Sequence, residues 1–395
     1  MLKKSPLLVV FITIFMDLVG FGIVIPLLPF YAKHMGASGF KVGLLISVYS
    51  AAQFVLSPLI GRLSDRVGRR PVLLFTVATN VVGYTLFGLA HSYGMLMFSR
   101  MISGIGGSNL SVAQAAIADS TTPENRAKGM GLIGAAFGLG FTLGPAIGGF
   151  LGKFDYAWPG FFAAGLCLIN LCLASFIFPE TLPLEKRSAQ VRLSRWQMFR
   201  KTVRKPDTAL YIFLFFMVTL AFSQMEATFS LFASARFHLS VMRVGYLFTM
   251  VGVIVGLMQG GAIGFLSKKF GETRLLTTGL TGLATALALM SLSSTVMQLV
   301  VVVAMMAMFN ALNNPSLMSL LSKSAAADVQ GGVMGVGQSG SALARILGPM
   351  IGGFCFDHLG VGSPYAVAAL IIVLALGTLL FFSNRDASRG AILAA

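Results

Sequence analysis

The chain carries one long apolar run after another from end to end, and a backbone in such runs has few ways to fold. Lipid offers no hydrogen-bond partners, so only helices and closed barrels satisfy the backbone within it. A spanning helix takes about 20 apolar residues and a barrel strand about 9–11. The runs here are too long and too continuously apolar for strands. Helices are expected near 7–31, 41–62, 71–91, 93–118, 127–152, 158–178, 208–236, 241–267, 273–292, 296–321, 330–356 and 363–383. Composition agrees with an all-α membrane protein of twelve transmembrane helices: only 11% of residues are charged, against roughly 25% in soluble domains.

A net charge of +16 would point to nucleic acid in a soluble protein. Here the charges sort by side. With the amino terminus in the cytoplasm, 22 of the 29 Lys and Arg residues collect on the inner side. Lys33, Lys41, Lys153, Arg236 and Arg243 fall outside, and Arg100 and Arg345 lie within helices. This positive-inside bias predicts two cytoplasmic termini, an even number of crossings and a lipid bilayer as partner, with no nucleic acid. Met1-Leu2-Lys3-Lys4 resembles the start of a secretory leader. The run that follows is too long and reaches Pro26, Pro29 and Tyr31 without a small-residue cleavage site, so a retained first helix is expected. Cys167, Cys172 and Cys355 show neither pairing nor metal spacing, and no metal or cofactor is expected.

The only long polar stretch divides the chain. Residues 1–180 and 208–395 are expected to form two pseudo-symmetric six-helix bundles, joined by a cytoplasmic linker over 181–207. The linker's basic run, Arg192 to Lys205, suits anionic headgroups, and Arg195-Trp196-Gln197-Met198-Phe199 suits a short surface helix. The two sides repeat each other. Gly61-Arg62-Leu63-Ser64 recurs as Gly264-Phe265-Leu266-Ser267, and Gly68 as Gly271. Gly144-Pro145-Ala146-Ile147-Gly148-Gly149 recurs as Gly348-Pro349-Met350-Ile351-Gly352-Gly353, and Val42-Gly43 as Val244-Gly245. The offsets are 203, 204 and 202 residues. A parallel repeat of this kind is one plan of secondary transporters, with a site between the halves.

Between the second and third expected helices the chain reads Gly61-Arg62-Leu63-Ser64-Asp65-Arg66-Val67-Gly68-Arg69-Arg70-Pro71. This resembles the loop signature of the major facilitator superfamily. The resemblance implies a conformational latch between the halves built on Gly61, Asp65, Arg66, Gly68, Arg69 and Arg70. The second-half copy has Lys268 in place of Asp65, so only the first is a full match. The fifth helix holds Gly140-Phe141-Thr142-Leu143-Gly144-Pro145-Ala146-Ile147-Gly148-Gly149, which resembles the antiporter motif of proton-coupled drug exporters. Pro145 removes a helix hydrogen bond, and Gly140, Gly144, Gly148 and Gly149 permit close helix contact, so the expected product is a packed hinge. Asp17-Leu18-Val19-Gly20-Phe21-Gly22-Ile23-Val24-Ile25-Pro26 is similar to the first helix of tetracycline and related exporters. Arg100-Met101-Ile102-Ser103-Gly104 is similar to the superfamily's fourth-helix pattern, whose arginine is associated with proton transfer. The third and ninth spans lack the acids that tetracycline exporters carry there, so multidrug export, or export of an amphipathic metabolite, fits equally well.

A charge at the bilayer centre costs roughly 2.5–3.5 kcal/mol on insertion scales, so intramembrane charges are functional candidates. Asp17 and Glu226 are the deep acids; Arg100 and Arg345 are the deep bases. Under the repeat Asp17 aligns with Thr219 and not with Glu226, so the acids have different expected roles. Either could exchange a proton for substrate during alternating access, with Arg100 modulating it. Gln53, Gln224 and Asn313, with Arg345, form the expected substrate cavity. The function so implied is proton-coupled export of drug-like or amphipathic small molecules by a non-enzymatic, monomeric, multi-pass protein of a bacterial inner membrane. The alternatives are proton symport of a sugar or other metabolite, and a non-transporting receptor. No Gly-rich phosphate loop with Lys-Ser or Lys-Thr is present, which excludes an ATP-driven pump of that type in this chain.

Overall fold

The computed structural model describes residues 6–183, 185, 205–325 and 329–393, and every regular element among them is helical. The first half runs α1 (Pro6–Val24), α2 (Leu28–His34), α3 (Gly39–Val67), α4 (Arg69–Gly88), α5 (Tyr93–Gly106), α6 (Asn109–Asp119), α7 (Pro123–Leu151) and α8 (Trp158–Ile177). The second runs α9 (Pro206–Phe237), α10 (Val241–Leu257), a π-helical turn (Met258–Ala262), α11 (Ile263–Phe270), α12 (Glu272–Leu292), α13 (Val296–Ser324), α14 (Gln330–Leu359) and α15 (Ser363–Leu393). The expected surface helix over Arg195–Phe199 and most of the linker lie outside the described residues.

Among the described residues, ten stretches are long and apolar enough to cross a membrane. The remaining two expected crossings are the divided pair α5–α6 and the glycine-rich α14, so a count of twelve is consistent with the structure. Three expected helices are not continuous. The run 7–31 breaks at residues 25–27, next to Pro26, and α2 starts again with Pro29 in its first turn, where the missing N–H is tolerated. The run 93–118 breaks at Gly107–Ser108. The run 241–267 continues through the π turn without leaving its axis for a loop. Local chemistry sets several starts: Ser38 accepts from the Lys41 amide, Ser92 from the Met95 amide, and Thr295 with Gln298 forms a capping box.

Each half has its own apolar interior. In the second, Leu214, Phe232, Leu276, Met306 and Tyr365 are buried together from four helices. In the first, Val10, Leu73, Ile117 and Phe178 pack as one group, and Ile23, Leu45, Phe87 and Cys167 as another. The second of these groups also takes in Leu231 and Val241 from the other half.

The halves meet at one end. The start of α3 lies along the end of α14, where a Cβ on Gly43 would collide with the Pro349 carbonyl. The end of α7 lies along the start of α10, with Gly149 against Gly245. Ser47 donates to the Ile346 carbonyl at 2.6 Å, and Ser230 donates at 2.9 Å to the Pro26 carbonyl, freed at the α1–α2 break. At the opposite end Gly131 and Gly134 of α7, Gly260, Gly261 and Gly264 near the π turn, and Gly331 and Gly335 of α14 have nothing within 4 Å of a would-be Cβ. One end is sealed by these contacts, and at the other the glycines face open space.

Candidate functional site

The signature loop turns at Gly68, whose φ of 116° is closed to ordinary side chains. The turn brings Arg69 back onto the helix it follows. Its guanidinium reaches Asp65 at 2.6 Å, Ser64 Oγ at 2.7 Å and, through Nε, Asp119 at the end of α6 at 2.9 Å. Glu180 then accepts from the Arg69 and Arg70 amides at 2.9 and 3.2 Å, a carboxylate on the positive end of α4. Arg70 donates to the Ser175 carbonyl. Gly61 faces Ser111, and Arg66 is exposed. All these partners come from residues 64–180, so in this state the loop braces its own half. Asp119 and Glu180 were not singled out from sequence; a carboxyl at a helix end raises no alarm there.

Asp17 lies inside the first half, 8% exposed. The Asn109 amide donates to its Oδ2, the Cys167 thiol lies 3.7 Å from Oδ1, and Asn80 and Asn170 line the same spot. Asn170 also donates to the Thr13 carbonyl at 3.2 Å, tying α8 to α1. Arg100 makes no ion pair with Asp17. Its guanidinium instead stacks on Tyr49, 4.7 Å from the ring centroid, and its Nε and Nη1 have no hydrogen-bond partner. Such stacking stabilises a desolvated cation by about 2 kcal/mol.

Glu226 stands in a different setting. It is half-buried on α9, within electrostatic reach of Arg345 on α14. Arg345 is also half-buried and donates to Ser341 at 3.1 Å. Tyr49 lies within electrostatic reach of Arg100 and Asp17 of the first half and of Arg345 of the second. The structure thus places Glu226 near Arg345, and Tyr49 within reach of Arg345, Arg100 and Asp17, with Asp17 itself surrounded by amides.

Of the expected cavity amides, Gln53 is half-buried and donates to the Gly107 carbonyl at 2.8 Å. Gln224 and Asn313 are fully enclosed in this state. Gln224 donates to the Pro364 carbonyl at 2.6 Å and joins α9 to α15; Asn313 packs against Gly279 of α12. In α7, Gly144 faces Gly22 and Gly148 faces the Ile23 carbonyl, while Gly140 faces Leu18. The Pro145 carbonyl and Gly149 face Gly245 on another side. The small residues therefore let α7 touch α1 of its own half and α10 of the other at once.

The profile of the Major Facilitator Superfamily matches residues 10–263 and 237–394. The chain belongs to the major facilitator superfamily. Among curated relatives of this facilitator, multidrug resistance protein 2 of Bacillus subtilis is 29% identical over 99% of this chain and 98% of its own. The class D tetracycline resistance protein of Salmonella ordonez is 33% identical over 90% of each chain. Among solved structures, the human organic anion transporter MFSD10 aligns with a TM-score of 0.72 at 26% identity, over 96% of this facilitator and 100% of that chain.

Proposed function

We propose that this protein is a proton-coupled exporter of drug-like, amphipathic small molecules, working by alternating access and seen here open to the cytoplasm. The observation that carries the reading is the contrast between its two deep acids. Glu226 is partly buried beside Arg345, where a proton and a cationic or polar ligand can compete for one carboxylate. Asp17 is sealed among Asn109, Cys167 and their neighbours, where its hydrogen bonds hold helices together. Glu226 is therefore the exchanging acid, and Asp17 positions α1. Arg100 and Arg345 keep the neighbourhood of Tyr49 positively poised. The multidrug and tetracycline resistance relatives support export, and they lend nothing to sugar symport.

In this reading residues 1–180 and 208–395 are two rocking units joined by the linker 181–207. The loop at Asp65–Arg70 latches the inner side when it closes, and α7 hinges at Pro145. The protein is a monomer of a bacterial inner membrane with both termini in the cytoplasm. The test is substrate-triggered proton movement in inside-out vesicles with tetracycline, cationic dyes and neutral amphiphiles. Proton release from the acidified lumen, lost in Glu226→Gln and retained in Asp17→Asn, is the expected result. Loss only in Asp17→Asn would transfer the coupling role, and no response to any compound would remove drug export from consideration.

A further inference from the structure

At the sealed end Asp357, near the close of α14, reaches across to the other half. Its Oδ1 accepts from the Gly39 amide and its Oδ2 from the Phe40 amide, each at 2.8 Å. These are the first two amides of α3, which have no partner inside their own helix. Ser38 takes the third, from Lys41, at 3.3 Å. A negative charge on two free amides at the positive end of a helix is a favourable pairing, and here it joins residues 318 positions apart.

The rest of the seam depends on that registration. Directly below, Gly39 faces Gly353, Gly43 faces the Pro349 carbonyl, and Ser47 donates to Ile346. The other seam has no such clasp. Ser240, before α10, makes no side-chain cap, and Asp155, at the end of α7, accepts from its own neighbour Ala157 at 2.7 Å. Sealing is lopsided: a carboxylate clasps one seam, whereas the other is closed by packing, with Gly149 against Gly245 and Val241 within the first half's apolar group.

Asp357, Ser38 and Lys41 are exposed to solvent, while Gly39 is buried beneath the carboxylate. When α3 and α14 part, water can take over both the carboxylate and the amides, so the clasp can open and reform. We propose that Asp357 is the outer latch of the transport cycle: its grip on α3 sets the balance between the inward-open state and its outward-open counterpart. The proposal rests on the alternating-access reading, but not on substrate or proton coupling.

The test is hydrogen–deuterium exchange with mass spectrometry on the full chain in lipid nanodiscs, comparing the unaltered protein with Asp357→Ala, Asp357→Asn and Asp357→Glu. If Asp357 is a latch, Asp357→Ala shifts the balance about tenfold. Exchange then rises at 39–48 and also at the distant seam, 241–252, and falls at the open-end segments 258–264 and 331–335. Asp357→Glu, which keeps a carboxylate, stays near the unaltered pattern, and Asp357→Asn falls between. Continued protection of 276–290 certifies the fold. Exchange that rises only in the first turn of α3 would reduce Asp357 to a local cap, and an unchanged pattern would remove its role; either overturns the proposal. Vesicle assays that found no drug export would leave these exchange results standing.

Discussion

Arg69 and Glu272 stand 203 residues apart, at the same step of the two halves, and each binds the far end of the next helix pair with the opposite charge. Arg69 holds Asp119; Glu272 holds Lys323, which is Asp119's counterpart at an offset of 204. Asp65 beside Arg69 is answered by Lys268. Three positions thus repeat in place and invert in sign. The braces differ in burial: the Arg69 and Asp119 side chains are 7% and 23% exposed, whereas Lys323 is 63% exposed.

That difference sets the size of the effects. Asp119→Asn is expected to destabilise by about 1.5–3 kcal/mol, the range for hydrogen bonds to charged groups. Lys323→Met is expected to lose under about 1 kcal/mol, as surface pairs do. Thermal melting in detergent measures both. Arg69→Glu alone leaves three acids together and should melt lowest. Inverting all three charges, Asp65→Lys with Arg69→Glu and Asp119→Lys, should recover part of the loss. If the triple variant melts no higher than the single one, the braces are not interchangeable in sign.

Gly148 and Gly134 sit on one helix in opposite circumstances. A methyl at Gly148 would strike the Ile23 carbonyl, and backbone cannot step aside as a side chain can. Gly148→Ala should cost about 1–3 kcal/mol, as overpacking does. Gly134 faces open space, so Gly134→Ala should leave melting unchanged or raise it through helix propensity. Equal losses at the two sites would contradict the close approach of α1 and α7.

The enclosure of Asp17 is readable chemically. Cys167 beside it is fully buried, Cys355 is buried and Cys172 is exposed. Treatment of the purified protein with a small maleimide, followed by peptide mass spectrometry, should modify Cys172 first and Cys167 last. Asn109→Ala removes the donor to Asp17 and is expected to lower stability by about 1–3 kcal/mol, the penalty for a buried group left unsatisfied. Rapid labelling of Cys167 in the unaltered protein would mean that the Asp17 cage opens readily.

Tyr49→Phe keeps the ring under Arg100, and Tyr49→Leu removes it. Without the ring the guanidinium, already lacking partners on Nε and Nη1, loses its main compensation. Tyr49→Leu should therefore melt well below Tyr49→Phe, by the equivalent of about 2 kcal/mol. Indistinguishable melting would assign the stabilisation of Arg100 elsewhere.

Helix locations were legible from sequence because lipid demands long apolar runs, and the signature loop because its glycines and charges keep fixed spacing. Rotation was not. In a bilayer the outward side of a helix is as apolar as its packed side, so periodicity says little about which side a residue such as Asn313 or Gln224 faces. The repeat already set Asp17 apart from Glu226, but only packing showed that Asp17 is enclosed by amides while Glu226 is partly exposed. Asp357 escaped notice for the converse reason. The cost of charge in lipid flags an acid at mid-helix and is silent about one at a watery helix end, although that is where it can reach the other half.

The π turn at Met258–Ala262 explains a small irregularity in the repeat. Val42-Gly43 and Val244-Gly245 are offset by 202, but Gly61 and Gly264 by 203, so the second half holds one more residue between those landmarks. The first half covers the same ground with the unbroken α3. An extra residue in a regular helix would swing everything beyond it by about 100°, turning Ser267 and Lys268 away from the places of Ser64 and Asp65. The wider turn swallows the surplus. The π turn thus absorbs the one-residue difference between the halves, and deleting a single residue there should return the helix to the regular geometry of α3.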